Sequence, residues 1–303
     1  MLRKVLCASD LSEASDEAVR QAASYCEQAG SSLVVLHVEP SLERRAWMEY
    51  GLAALLPEEM EGLEARAREA LEAQLTRAGV RLPDLKAEVV ASGEPIYAEI
   101  VRRSEAKGID LLVVGSRGAS GLARVLLGSV AEKVVRQAHC SVLVARPSPA
   151  SGAILVASDF SPPSQAAMIA ATQEVARRGQ SARLAVTHCL DLPADALGPG
   201  YWSFISPGSA IANARAARKL NVEQRLQKEV REAGLKASVT VEEGAPSTGI
   251  VRMAESMSAE LVVLGSSGRT GLSRVLLGSV ADSVIRRAPC SVLVVRGRPP
   301  ARS

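Results

Sequence analysis

The stretches GSRGASGLARVLLGS (Gly115–Ser129) and GSSGRTGLSRVLLGS (Gly265–Ser279) share one spacing, G-x2-G-x9-G-S. Each follows an apolar run and leads into a helical pattern, SVAEKVVRQA in one case and SVADSVIRRA in the other. These residue types suit an anion. Glycine lets the backbone turn sharply and approach a ligand with no Cβ in the way. The start of a helix adds unpaired N–H groups and partial positive charge, which a phosphate can use. One helix end contributes only about 0.3–1 kcal/mol at an exposed site. Several N–H groups and the Ser129 hydroxyl must therefore act together. The competing reading is a tight strand-to-helix connection and nothing more. Recurrence of the whole spacing, each time after a strand, favours the phosphate. The pattern is neither GxxxxGK[ST], whose lysine and magnesium-binding hydroxyl are missing, nor the GxGxxG fingerprint, which follows a first strand.

Asp10 and Asp159 recur in ASDLS and ASDFS, each after the first apolar run of its half. A carboxylate there can accept hydrogen bonds from a ribose hydroxyl or an adenine amine. It can also cap the following helix, with Ser12 and Ser161 as rival caps. Arg124 and Arg274 lie within the nine-residue spacers, where they could reach phosphates or stand in solvent. His37 and His188 occupy equivalent strand ends. Without further ligands at metal spacing they read as packed residues. His139 has no counterpart, because Pro289 stands there. No G-x-S-x-G elbow or local Ser/His/Asp motif identifies a nucleophile.

These residues need a scaffold, and the chain supplies it twice. Gly115–Arg146 aligns with Gly265–Arg296 without a gap, at 22 identities in 32 positions. RKVLCASDLSEAS matches GAILVASDFSPPS, LVVLHVEP matches LAVTHCLD, and SGEPIYAEIVRRSE matches EEGAPSTGIVRMAE. Two homologous domains, residues 1–147 and 152–303, are expected on either side of the breaker-rich PSPASG. In the first, strands are expected at Lys4–Ala8, Ser32–Val38, Lys86–Ala91, Ile109–Gly115 and Ser141–Ala145. Their runs lack strict alternation, as strands covered on both faces do. Helical patterns fall at Glu13–Gln28, Pro57–Ala78, Glu94–Lys107 and Leu127–Gln137. Alternation of this kind calls for α/β domains with doubly wound parallel sheets and right-handed crossovers. Ligands bind such sheets beyond the carboxyl ends of the strands, where the strand order reverses.

Composition narrows the function. A net charge of +3 and 3% aromatic residues give no dense basic stripe or stacking platform for nucleic acid. No apolar run approaches the ~20 residues of a bilayer span, and MLRKVLCASD is not a signal peptide. Five cysteines, Cys7, Cys26, Cys140, Cys189 and Cys290, form no CxxC pair and read as reduced, mostly buried thiols of a cytoplasmic protein. The scarce aromatics Trp47, Tyr50, Tyr201, Trp202 and Phe204 cluster in matching insertions. Packing, a lid or an interface would each account for them.

With ASDLS and ASDFS, LHVEP and the two glycine loops, essentially the whole chain resembles the universal stress protein family in its tandem form, on the ATP-binding branch. The resemblance implies the adenine-nucleotide hydrolase-like fold, five strands per domain in the order 3-2-1-4-5. It implies that Ala8, Ser9 and Asp10 face adenosine and that Val38 meets adenine through its backbone. Gly115, Arg117 and Gly118 would line ribose and phosphates, and Gly128, Ser129 and Val130 would hold the phosphate chain. The matching positions of the second domain are Ala157, Ser158, Asp159, Cys189, Gly265, Ser267, Gly268, Gly278, Ser279 and Val280. ATP is the implied cofactor, with Mg2+ its optional companion. The implied partners are the nucleotide, the other domain through fifth-strand pairing as a pseudo-dimer, and optionally a second chain, with no nucleic acid and no membrane insertion. The expected role is a cytoplasmic nucleotide-dependent regulator or sensor in the stress response. The alternatives are a slow ATPase or other nucleotide-dependent enzyme, a non-catalytic interaction module, and an AMP or cyclic-nucleotide sensor.

Overall fold

A computed structural model describes residues 2–41, 57–116, 127–179, 182–190, 210–268 and 277–297. The chain divides into two compact units. The first begins with β1 (Lys4–Ser9), α1 (Glu13–Ala29), β2 (Ser32–Pro40) and α2 (Pro57–Arg77). It continues with β3 (Leu85–Ser92), α3 (Ile96–Ala106), β4 (Leu111–Gly115), α4 (Ser129–Gln137) and β5 (Ser141–Ala145). Its strands lie in the order β3-β2-β1-β4-β5, all parallel. Two strands therefore run outward on one side of β1 before the chain crosses back to β4 on the other. That reversal opens a crevice at the carboxyl ends of β1 and β4.

β1 is central because it is apolar on both faces. Val5, Leu6 and Cys7 are fully buried, as are Leu112 and Val113 of β4. The edge strand β3 carries Lys86 and Glu88 and is only partly covered, which protects an edge from association. α1 follows the β1 turn with Ser12 as its N-cap residue and ends on Gly30, whose φ of 59° satisfies the left-handed cap. β10 (Ser291–Val295) groups with this unit and pairs antiparallel with β5, with Leu293 opposite Leu143.

The second unit repeats the plan with β6 (Ala153–Ala157), α5 (Pro162–Arg178), β7 (Arg183–Leu190) and α6 (Ala210–Glu232). It goes on with β8 (Ser238–Glu243), α7 (Pro246–Ser256), β9 (Leu261–Gly265) and α8 (Ser279–Arg287). The order β9-β6-β7-β8 again puts the first strand of the repeat between its second and fourth. The α/β architecture with doubly wound sheets is the one expected from the sequence.

Several elements differ from expectation at their ends, for local reasons. α3 starts at Ile96 rather than Glu94, since the residue before Pro95 is forced out of the helical region. β4 starts at Leu111 rather than Ile109, because the Ile109 N–H donates to Ser104 O and closes the end of α3. α4 starts at Ser129 rather than Leu127, with Gly128 as its N-cap residue.

Candidate functional site

The β1 ladder brings the candidate residues of the first unit to one edge. Ala8 is level with Leu36 and Val114, and Ser9 with His37. Asp10 then leaves the sheet and Leu11 turns the chain with φ of 65°. Phe160 repeats this after Asp159, also at 65°. A left-handed non-glycine residue is sterically costly and clusters at functional turns. Here hydrogen bonds impose it. Ser9 Oγ accepts from Leu11 N at 2.9 Å, and Asp10 Oδ1 accepts from Ser12 N at 3.2 Å and from its hydroxyl. In the second unit Ser158 Oγ accepts from Phe160 N at 3.2 Å, and Asp159 takes both groups of Ser161. The serines are thus the helix N-cap residues, and each aspartate folds back onto its serine.

Behind the first turn lies a buried polar network. Ser9 Oγ donates to Gln74 Oε1 at 2.6 Å, and Gln74 Nε2 donates to Ser15 Oγ at 2.7 Å and Asp16 Oδ1 at 2.9 Å. Arg77 closes it with a two-pronged contact to Asp16, at 2.7 and 2.9 Å. Burial alone would raise the Asp16 carboxyl, yet the hydrogen bonds from Arg77 and Gln74 and the Arg77 charge hold it below its ordinary value. The second turn is braced differently. Phe160 stacks against His188 with ring centroids 4.5 Å apart, the Arg225 guanidinium lies 4.1 Å from the Phe160 centroid, and Ser158 Oγ donates to Glu229 at 3.4 Å. In both units a histidine ring supports the same backbone. His37 Nδ1 lies 2.9 Å from Ser9 O, and His188 Nδ1 lies 2.7 Å from Ser158 O.

Sequence reasoning named His37 and His188 as packed residues but missed the other braces. Gln74 could have been found, because it is a polar residue on the apolar stripe Ala67, Leu71 and Leu75 of α2. Arg225 and Phe160 carry no such signal.

The glycine loops close at their necks. Gly128 N donates to Ser116 O at 3.0 Å, and Gly278 N donates to Ser266 O at 2.8 Å. Gly128 and Gly278 are the N-cap residues of α4 and α8, so neither helix has a capping side chain. In the second unit the convergence is close. A Cβ on Gly268 would lie 2.9 Å from Asp159 Oδ2, and one on Gly278 would lie 3.4 Å from Ser267 Cα. Gly265 is pressed against Pro163, 2.7 Å from its carbonyl carbon by the same measure. Asp159, Gly265, Ser267, Gly268 and Gly278 thus meet at one place, with Ser279 and Val280 opening α8 beside it. Ala157 ends β6 and Cys189 lies in β7. In the first unit Gly115 ends β4, Gly128 to Val130 open α4, and Val38 is buried near the end of β2. Arg117, Gly118, Arg124 and Arg274 lie outside the described residues, as do the aromatic insertions with Trp47, Tyr50, Tyr201, Trp202 and Phe204.

Burial pushes the Cys189 thiol up to about 11 and Cys140 likewise, so both are protonated at neutral pH. Among the described residues no cluster of three or more His, Cys, Asp or Glu could hold a metal ion. Among the same residues no helix is long and apolar enough to cross a membrane.

A doubly wound α/β unit with a carboxylate turn after its first strand and a glycine-capped helix after its fourth, built twice in one chain, defines a narrow class of protein. The profile of the universal stress protein family matches residues 1–146 and again residues 151–296, and the chain belongs to that family. It is 34% identical over 224 residues to universal stress protein Rv2005c of Mycobacterium tuberculosis, covering 70% of this chain and 69% of that one. A universal stress protein of Mycolicibacterium smegmatis is 29% identical over 310 residues, 97% of each chain. Among solved structures, a functionally unknown protein from Pseudomonas aeruginosa PAO1 shares the fold. Its TM-score is 0.67 at 18% identity, with 98% of this chain and 93% of that one covered.

Proposed function

We propose that the chain binds an adenine nucleotide, ATP foremost, at the crevice of each repeat and works in the cytoplasm as a nucleotide-dependent regulator of the stress response. The observation that carries this reading is the approach of Gly268 to Asp159, so close that even a methyl group would collide with the carboxylate. A backbone cradle next to a hydrogen-bond acceptor fits a nucleoside phosphate. Asp10 or Asp159 would take the nucleoside's donors. The open N–H groups of Ser129 and Val130, or of Ser279 and Val280, would take its phosphates. Bound ATP would supply a recognition state, and Mg2+ would be carried in with the phosphates. Pairing of the two repeats through their fifth strands is part of the proposal, supported by the ladder between β5 and β10.

The test is to denature freshly purified protein, identify the released nucleotide by mass spectrometry and measure its molar ratio. ATP close to two per chain is the expected result. ADP or AMP in its place would move the reading to a slow hydrolase or a monophosphate sensor. No nucleotide on release, and none bound in a following titration with ATP, would overturn it in favour of an interaction module.

A further inference from the structure

The second repeat keeps the glycines and the helix-opening serine of the first, but it has Ser283 where the first has Lys133. Lys133 stands four residues after Ser129 on α4, so the two share a helix face. A helical side chain lies over the turn N-terminal to its own Cα, which for Lys133 is the turn of Ser129 and Val130. Its Nζ sits 4.9 Å from the centroid of the Tyr97 ring, in the first turn of α3. Lys133 and Tyr97 line a pocket of about 190 Å³ together with Pro40, Pro95, Ile96, Ser129 and Val130. The strand end and both helix starts thus open onto one space.

Among the described residues no carboxylate pairs with the ammonium. Lys133 is exposed and its described contact is the face of Tyr97. Its acidic neighbour Glu132 is directed to Arg136, at 3.4 Å. A cation resting on a ring face can leave for an anion at little cost when the site is open to solvent. In the second repeat the positions of Lys133 and Tyr97 are held by Ser283 and Ser247. The pair is therefore a property of the first repeat alone.

We propose that Lys133 is the charge-reading residue of the first site. Its ammonium pairs with the outer phosphates of a nucleotide whose phosphate chain lies on the start of α4. The first site thereby favours a nucleoside triphosphate over a monophosphate, and the second site lacks that preference. This inference rests on the nucleotide-binding reading given above.

The experiment titrates ATP and AMP into the full chain by calorimetry, at low and moderate salt, for the unaltered protein and for Lys133→Met, Lys133→Arg and Ser283→Lys. Lys133→Met is expected to weaken ATP at one of the two sites by roughly fivefold to tenfold. AMP should change by less than about twofold, and the salt dependence of ATP binding should flatten. Lys133→Arg should keep the ATP preference, and Ser283→Lys should create one at the other site. Equal weakening of ATP and AMP by Lys133→Met, or no weakening of either, overturns the charge-reading role while leaving nucleotide binding intact. If the unaltered chain binds neither nucleotide, the functional reading fails and this inference fails with it.

Discussion

A single methyl group separates two kinds of glycine in the second crevice. At Gly265 a Cβ would press into the backbone of Pro163, which cannot swing aside. At Gly268 it would press into the carboxylate of Asp159, the far end of a side chain that has Ser161 as its partner. Gly265→Ala should therefore cost about 1–3 kcal/mol of stability, as overpacking does. Gly268→Ala should change stability by less than about 0.5 kcal/mol and should show instead as loss of nucleotide at one of two sites. Denaturant midpoints and binding stoichiometry measured on both variants check the pair. A Gly268→Ala chain that unfolds early yet binds fully would contradict the placement of Asp159. At this scale the sequence was legible where a glycine or an aspartate repeats at a fixed spacing. It was silent on Phe160, since nothing in ASDFS announces a left-handed turn gripped between His188 and Arg225.

Among elements, α3 carries a buried charge whose cost is offset by its own helix. Glu99 is 5% exposed and accepts hydrogen bonds from Arg102 at 2.7 and 2.9 Å and from Arg103 at 2.7 Å. Chiefly through the Arg102 bonds, and against the effect of burial, its carboxyl is held down to about 2 from an ordinary 4.5. A depressed carboxyl stabilises the fold above its unfolded value, and that contribution disappears as pH falls from about 4.5 towards about 2. Glu99→Gln should accordingly cost about 2 kcal/mol at pH 7, less than the full shift implies because Arg102 is largely solvated. The gap to the unaltered chain should narrow below pH 4.5 and close only as pH falls through about 2. Equilibrium denaturation across that range decides it, and a pH-independent gap would mean that packing, not charge, is at stake.

β7 offers the opposite case. Thr187 is 1% exposed and its hydroxyl has no hydrogen-bond partner among the described residues. The first repeat places a fully buried Leu36 at that position. Thr187→Val should stabilise the second unit by roughly 1–2 kcal/mol, seen as a higher denaturant midpoint with an unchanged slope. Element identities were legible because β1 and β4 are continuous apolar runs and each helix between them is followed within two residues by a glycine, at Gly30, Gly79 and Gly108. The ends of α3 and β4 were less so, since they depend on what Pro95 forbids and on a bond from Ile109 to Ser104 that hydrophobicity does not reveal.

For the whole molecule, doubling was the most readable property, because it needs only the chain to be compared with itself. What the comparison could not expose is that matching turns are held by different means. The first uses Gln74, Asp16 and Arg77, in which an amide links hydroxyl to carboxylate and guanidinium. The second uses Phe160, His188 and Arg225, with Glu229 at the place of Gln74. Similar sequence at the carboxyl ends of the strands thus conceals divergence one layer behind it, where helices α2 and α6 supply partners from distant sequence.

Joining two copies in one chain also removes a constraint on descent. In a symmetric pair of identical chains every substitution appears twice and must be tolerated on both sides. Here a lysine can arise at 133 while its twin at 283 is serine, and each half can be tuned without altering the other. Fusion turns what symmetry would hold equal into two heritable settings.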